Sequence, residues 1–358
     1  VILVAGLWPF QFRPVNAVEW LRNPDGIRFQ KWGIAYSKDK LVFGDQGLTI
    51  ELVAESLRES NHSIAVLLEL FESRNSRWLM VGQWRSNLIL RWSDGSTGGK
   101  KKYQEMGVKD AFLTGSRRHF VITTGKDGTS IYVDGVLTQN TLDRLPFGSN
   151  EGREGYLALG NFAGGHDQWY GSIYRLAIYN AQLDSDNLKH NSTGDTAYLL
   201  EAIKASYEYA FNRGEEGPGN LLVNINGTGG DISIPKAFNI PEKTILKAPW
   251  KEFGLKRSYL KDVVINLFGF IPLGFTFAFF LWKNSGLRAP GISALVVAIG
   301  FSTSLTIEIL QAFTPSRSSS IGDLLFNTLG TVIGVVLMNS YWRRFWETKR
   351  LNKRCEKG

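Results

Sequence analysis

A single cysteine, Cys355, in 358 residues excludes an intramolecular disulfide, and its place in a basic tail says nothing about redox compartment. Four histidines and that one thiol offer no zinc-ligand spacing, and neither a Walker loop nor a nucleophile elbow is present. Nucleotide hydrolysis, zinc chemistry and serine-hydrolase chemistry therefore lose their usual signatures. Charge of one sign is also missing from most of the chain. Residues 1–250 hold 27 of the 41 basic and 27 of the 33 acidic residues, so the formal net charge of +8 belongs to the remainder. A balanced count gives no basic face for nucleic acid, and Lys100-Lys101-Lys102 reads as a solvated loop.

What the last hundred residues do have is long apolar runs. Asp262–Trp282, Ala289–Phe313 and Ile321–Trp342 each approach the ~20 residues that a hydrocarbon core of about 30 Å demands of a helix. Pro272, Gly269 and Gly274 in the first, with Gly330 and Gly334 four apart in the last, are ordinary in lipid, where small residues let helices pack closely. Trp250, Trp282, Trp342 and Trp346 stand at or beyond the segment ends, where an amphipathic ring prefers the headgroup level. The reading is three transmembrane helices.

Polar residues inside such segments are costly, at least ~2.5 kcal/mol for an ionisable group near the bilayer centre, and they mark function by default. Asp262 and Asn266, Glu308 and Gln311, and Asp323 and Asn327 are three or four residues apart, so each helix carries one polar stripe. Successive membrane helices alternate direction, and these pairs sit at a start, an end and a start. All three therefore fall in roughly two turns of one membrane surface, beside the short loop that contains Arg317. That base is expected to pair with one or more of the acids. Hydrogen bonding between helices is the plainer alternative for the same residues.

Read in order, Asp262-Val-Val-Ile-Asn266-Leu-Phe-Gly-Phe-Ile-Pro272-Leu-Gly274, Glu308-Ile-Leu-Gln311 and Arg317…Asp323-Leu-Leu-Phe-Asn327-Thr-Leu-Gly330 resemble the VanZ-like membrane proteins. The resemblance covers about the last hundred residues. It implies a bacterial envelope protein and a link of some members to glycopeptide-antibiotic resistance, and it names no reaction.

The chain opens Val1-Ile-Leu-Val-Ala-Gly-Leu-Trp8-Pro9-Phe10, an apolar segment too short to span a bilayer and read as the end of a truncated transmembrane helix over 1–10. Residues 343–358 carry seven Lys/Arg and two Glu, and the 283–288 loop adds two bases. The positive-inside rule puts both in the cytoplasm, against the opposing bases between Lys243 and Lys261. This places residues 11–258 and the polar cluster outside a bacterial cytoplasmic membrane, with 251–342 as the membrane domain and 343–358 as a basic cytoplasmic tail.

From Gly26 to Ile240 the pattern changes to short alternating segments punctuated by glycine. Phe120–Thr124, a Lys126-Asp127-Gly128 turn, Ile131–Val133, Asp134-Gly135 and Val136-Leu137 predict two successive hairpins, since Asp-Gly tolerates the positive φ of a tight turn. Many short strands without long helices predict a sandwich or jelly roll over 11–250. Tyr132-Val-Asp-Gly135, Leu159-Gly-Asn161, Trp169–Asn180 and Leu183–Leu188 resemble the laminin-G-like, concanavalin A-like jelly roll. That fold hosts glycan binding, hydrolysis and adhesion alike. Hydrolysis needs two carboxylates across a groove. Glu69/Glu72 and Asp134/Asp143 are the available pairs; nothing sets either face to face, so no catalytic residue is assigned.

His166, Asp167, Gln168 and Trp169, after two glycines, are the candidate recognition loop, with polar groups and one ring suited to a sugar. A Trp that caps the core is the alternative. Ca2+ at Asp167 is the one metal reading and no other cofactor is expected. The expected partners are the lipid bilayer and a cell-surface glycan or envelope protein, not nucleic acid. Set beside this recognition reading is an intramembrane enzyme or transporter that acts on a lipid-linked or amphipathic substrate through the polar cluster.

Overall fold

The computed structural model describes residues 2–8, 10–73, 76–93, 103–143, 145, 153–162, 165, 167–183, 204–211, 220–227, 229–239, 245–248, 257–315 and 317–355. Lys100–Lys102, His166, Asp184–Leu188 and Trp250 lie outside them. The chain forms two compact units, residues 14–242 and residues 1–13 with 243–358.

The unit over 14–242 is built on two antiparallel sheets. One runs in the order Val18–Leu21 (β1), Gly26–Phe29 (β2), Gly171–Tyr179 (β14), Leu48–Ser56 (β5), Arg117–Gly125 (β10), Gly128–Val133 (β11) and Val136–Thr141 (β12), with Tyr207–Glu208 (β15) on β14. The other runs Leu221–Leu222 (β16), Ile232–Ser233 (β17), Ala35–Ser37 (β3), Arg153–Leu159 (β13), Ser60–Ser73 (β6), Ser76–Arg85 (β7), Asn87–Ser93 (β8) and Tyr103–Val108 (β9), with Leu41–Phe43 (β4) also on β13.

Period-two alternation puts Leu48, Ile50, Leu52 and Ala54 of β5 on the face that shares a core with Leu79 and Val81 of β7 and Leu88 and Leu90 of β8. The predicted meander is β10–β11–β12. Its two ends pair Gly125 with Gly128 and Val133 with Val136. Asp134 and Gly135 both take positive φ, 50° and 79°, which a two-residue hairpin turn requires.

The outer face of the first sheet buries a charge network. Glu51, with no exposed surface, accepts from Tyr179 Oη (3.0 Å), bonds His119 Nε2 (3.1 Å) and pairs with Arg175 Nε (3.2 Å), whose Nη1 reaches Glu208 (2.8 Å). Burial pushes the Glu51 carboxyl up, but the His119 bond and the Arg175 charge outweigh it and hold the group below the usual carboxylate range.

In the other unit, Arg257–Asn284 (α2), Ala289–Gln311 (α3) and Ile321–Cys355 (α4) are the long helices. Among the described residues three stretches are long and apolar enough to cross a membrane: Leu260–Asn284, Ala289–Gln311 and Ile321–Tyr341. Phe268, Phe280, Leu325 and Val336 are more than half exposed, an apolar surface that water would not tolerate at this density and a bilayer would. Between α2 and α4 the backbones touch: a Cβ at Gly330 would meet the Leu267 carbonyl oxygen, one at Gly334 the Ile271 carbonyl oxygen, and one at Gly274 the Thr331 carbonyl oxygen. The glycine spacing in α4 is thus a packing seam. A short helix, Ile2–Leu7 (α1), lays Leu7 against Phe270 and Ile307.

Candidate functional site

The site is built where α2 starts, α3 ends and α4 starts. The segment between α3 and α4 joins the last two of these ends and is held by backbone bonds. Lys247 N–H donates to the Ser319 carbonyl (3.0 Å), Ile321 N–H to the Lys247 carbonyl (3.0 Å), and Arg13 N–H to the Phe313 carbonyl (3.0 Å). Ser320 caps α4, its Oγ accepting from the Gly322 (3.0 Å) and Asp323 (3.4 Å) N–H groups. Ser320-Ile-Gly-Asp323 has the spacing of a capping box, in which the carboxylate three residues on would take the cap's own N–H. Here Glu308, almost wholly buried, accepts the Ser320 N–H instead (2.7 Å). Asp323 accepts from Asn266 Nδ2 at 2.6 Å, which joins α4 to α2.

All seven residues singled out from the sequence, Asp262, Asn266, Glu308, Gln311, Arg317, Asp323 and Asn327, line one cavity of about 340 Å³. Ile2, Gly6, Ile265, Gly269, Phe270, Ile307 and Ser318 complete it. The three polar stripes face one another across the helices, as their spacing predicts. The base behaves differently from expectation. Arg317 is exposed and gives Nε (3.3 Å) and Nη2 (3.1 Å) to the Trp8 carbonyl rather than to a carboxylate. Gln311 Nε2 likewise donates to the Gly6 carbonyl (2.7 Å), so α1 closes one side of the site. Asn327 is 3% exposed; its Nδ2 donates to Ser304 Oγ (2.9 Å), and its Oδ1 has no hydrogen-bond partner among the described residues. A buried acceptor without a partner costs about 1–3 kcal/mol and calls for an explanation.

Sequence reasoning missed the Ser320 cap and the carbonyls of Gly6 and Trp8. The Ser-x-x-Asp spacing was a legible signal for the first; backbone acceptors leave none.

In the sheet unit the candidate recognition loop takes a different place. Trp169 is 1% exposed, tilted against Phe29 in the core, and its indole N–H donates to Gln83 Oε1 (2.8 Å). Gln168 Nε2 donates to the carbonyls of Gly33 (3.1 Å), Gly160 (2.8 Å) and Trp169 (2.8 Å), while its Oε1 accepts from Gly33 N–H and Asn161 Nδ2. This corrects the expectation of a sugar-stacking ring: a ring without exposed surface cannot stack on a ligand, and Gln168 is a strut of the fold. Asp167 is half-buried, its carbonyl accepting the Val66 N–H (2.8 Å). Among the described residues no three His, Cys, Asp or Glu gather into a cation site. Glu69 is buried beside Arg77 Nε (3.2 Å), and Asp134, partly exposed, is bound by Arg118 in its turn.

Residues 35–189 match the family model described as the concanavalin A-like lectin/glucanases superfamily. Residues 214–343 match the VanZ/LLP1 model, which begins ahead of β16 and runs to the end of the membrane-crossing part of α4. No curated protein matches the chain. Among solved structures, the sialidase of Trypanosoma rangeli is 14% identical over 49% of this chain and 28% of its own, with a TM-score of 0.35. A native heptameric SAP-like pentraxin from Limulus polyphemus is 12% identical over 62% and 95%, at 0.36. The receptor binding domain of botulinum neurotoxin D is 10% identical over 49% and 45%, at 0.38. This chain spans little more than a quarter of the sialidase's length, and likenesses this loose carry nothing about ligands. The protein therefore joins a concanavalin A-like lectin/glucanase jelly roll to a VanZ-like domain whose three apolar helices make it a membrane protein.

Proposed function

We propose that the protein binds the polar head of an amphipathic or lipid-linked molecule in the cavity among α2, α3 and α4, at one face of a bacterial cytoplasmic membrane. One observation carries this reading: three helices each contribute an acid and an amide to a single cavity of about 340 Å³ among stretches apolar enough to cross a membrane. A cavity lined by polar groups among helices apolar enough to cross a membrane suits a polar head group whose tail stays in hydrocarbon. Basic residues 343–358 and the 283–288 loop support a cytoplasmic position for that end of the helices and an extracytoplasmic one for the cavity and residues 11–258. No chemical step is assigned; binding serves a carrier, a transporter or a protective receptor, including one linked to glycopeptide resistance. The test is photocrosslinking of a photoreactive phospholipid to the purified full chain. Labelled peptides from 262–270 and 323–330 that disappear in Asp262→Asn or Asp323→Asn support the reading, and unchanged labelling overturns it.

A second reading concerns the jelly roll as a recognition module for an envelope glycan or protein. The lectin/glucanase description of residues 35–189 supports it. Deletion of residues 27–240 that leaves binding to isolated cell-wall glycan and envelope proteins unchanged would count against it.

A further inference from the structure

Building on the assignment of the cavity to an amphiphile's polar head, we infer that this head presents a cationic hydrogen-bond donor, a primary ammonium, to the cavity. Each side-chain amide on the lining has a donor engaged. Asn266 Nδ2 is held by Asp323, Gln311 Nε2 by the Gly6 carbonyl and Asn327 Nδ2 by Ser304. Arg317 has turned its Nε and Nη2 to the Trp8 carbonyl. Beside these engaged donors the lining carries one acceptor without a partner among the described residues, on Asn327, and three carboxyl groups.

Asn327 lies one turn further along α4 than Asp323, is 97% buried by its 3% exposure, and keeps Oδ1 without a partner on a side chain that lines the cavity. Three carboxylates, from Asp262, Glu308 and Asp323, share that lining with a single guanidinium, a formal charge of −2. An ammonium has three N–H donors and no acceptor, which matches an acceptor-rich lining. Its charge is opposite to that of the lining, and desolvation among apolar helices strengthens that attraction. An anionic head would meet like charge. A trimethylated ammonium would satisfy the charge and leave Asn327 Oδ1 without a donor. A sugar would supply donors but no charge opposite to that of the lining.

The test uses the delipidated full chain in neutral detergent, titrated with phosphatidylethanolamine, phosphatidylcholine, phosphatidylglycerol and a glucosyl-diacylglycerol of identical acyl chains, with bound lipid counted by native mass spectrometry. Phosphatidylethanolamine is expected to bind at least about tenfold more tightly than each of the others, the scale of one charge-assisted hydrogen bond. Asn327→Ala should erase most of the advantage over phosphatidylcholine. Asp262→Asn, at an exposed and isosteric position that leaves folding intact, should reduce the advantage over phosphatidylglycerol and the glycolipid. If lipid binding depends on these residues but shows no preference among heads, or favours phosphatidylglycerol or the glycolipid, the ammonium inference is wrong and the amphiphile site stands. If no lipid binding responds to either substitution, both are wrong.

Discussion

Replacing Gly330 with alanine probes the seam on which the cavity depends. The added methyl would meet the Leu267 carbonyl oxygen, a backbone atom in the middle of α2 that no rotamer change can move aside. The helices must part, and overpacking of this kind costs about 1–3 kcal/mol. Gly334 faces the Ile271 carbonyl oxygen one turn further on. Gly334→Ala should cost a similar amount. Once one methyl has separated the helices the second meets less resistance, so the double variant should cost clearly less than the two singles together. Parting α2 from α4 also stretches the 2.6 Å bond from Asn266 to Asp323 at the cavity. Gly291 is the control, because a Cβ there meets nothing within 4 Å; Gly291→Ala should be neutral or stabilising by up to ~1 kcal/mol. Melting in detergent, followed by intrinsic fluorescence, should fall by several degrees for each seam variant. Seam variants that melt like Gly291→Ala, or a double variant that equals the sum, would refute close backbone packing as the determinant.

Glu51 sits below its ordinary range in the folded protein, so its contribution is complete above about pH 4.3, the unfolded value, and is lost as pH falls through the folded value. Glu51→Gln should therefore cost about 3 kcal/mol at pH 7 and flatten the acid limb of a denaturation series run from pH 6 to 2. Trp169→Ala empties a core position and should destabilise the jelly roll by about 3–5 kcal/mol in urea unfolding; a folded, unchanged jelly roll would restore the ring to a binding role. Ser320→Ala removes the α4 cap and the loss should be about 0.5–2 kcal/mol, read as lower protection of the Gly322 and Asp323 amides in hydrogen exchange.

The acid–amide stripes were legible because helical spacing alone fixes which side chains share a face, and alternation of helix direction fixes which end they occupy. Arg317 was not. Its partner is a backbone carbonyl at Trp8, some three hundred residues away in sequence, and opposite charge nearby is a poor guide when a loop conformation decides where a guanidinium lands. The hairpins from Phe120 to Leu137 followed from Asp-Gly turns, whereas the position of β14 between β2 and β5 rests on register between distant strands, which local sequence does not encode. Trp169 shows the same limit at one residue. Glycines and polar neighbours read as an open loop, yet the Trp169 N–H to Gly160 carbonyl bond (2.9 Å) folds the segment back, and the ring fills the core.

The most direct measurement is a cryo-electron microscopy map of the full chain purified in nanodiscs of native lipid. Head-group density bounded by Asp262, Asp323 and Asn327, continuous with a tail running between α2 and the bilayer, is the predicted result. A cavity filled by water alone, or closed by direct contact of Asn327 with the carboxylates, would contradict the account.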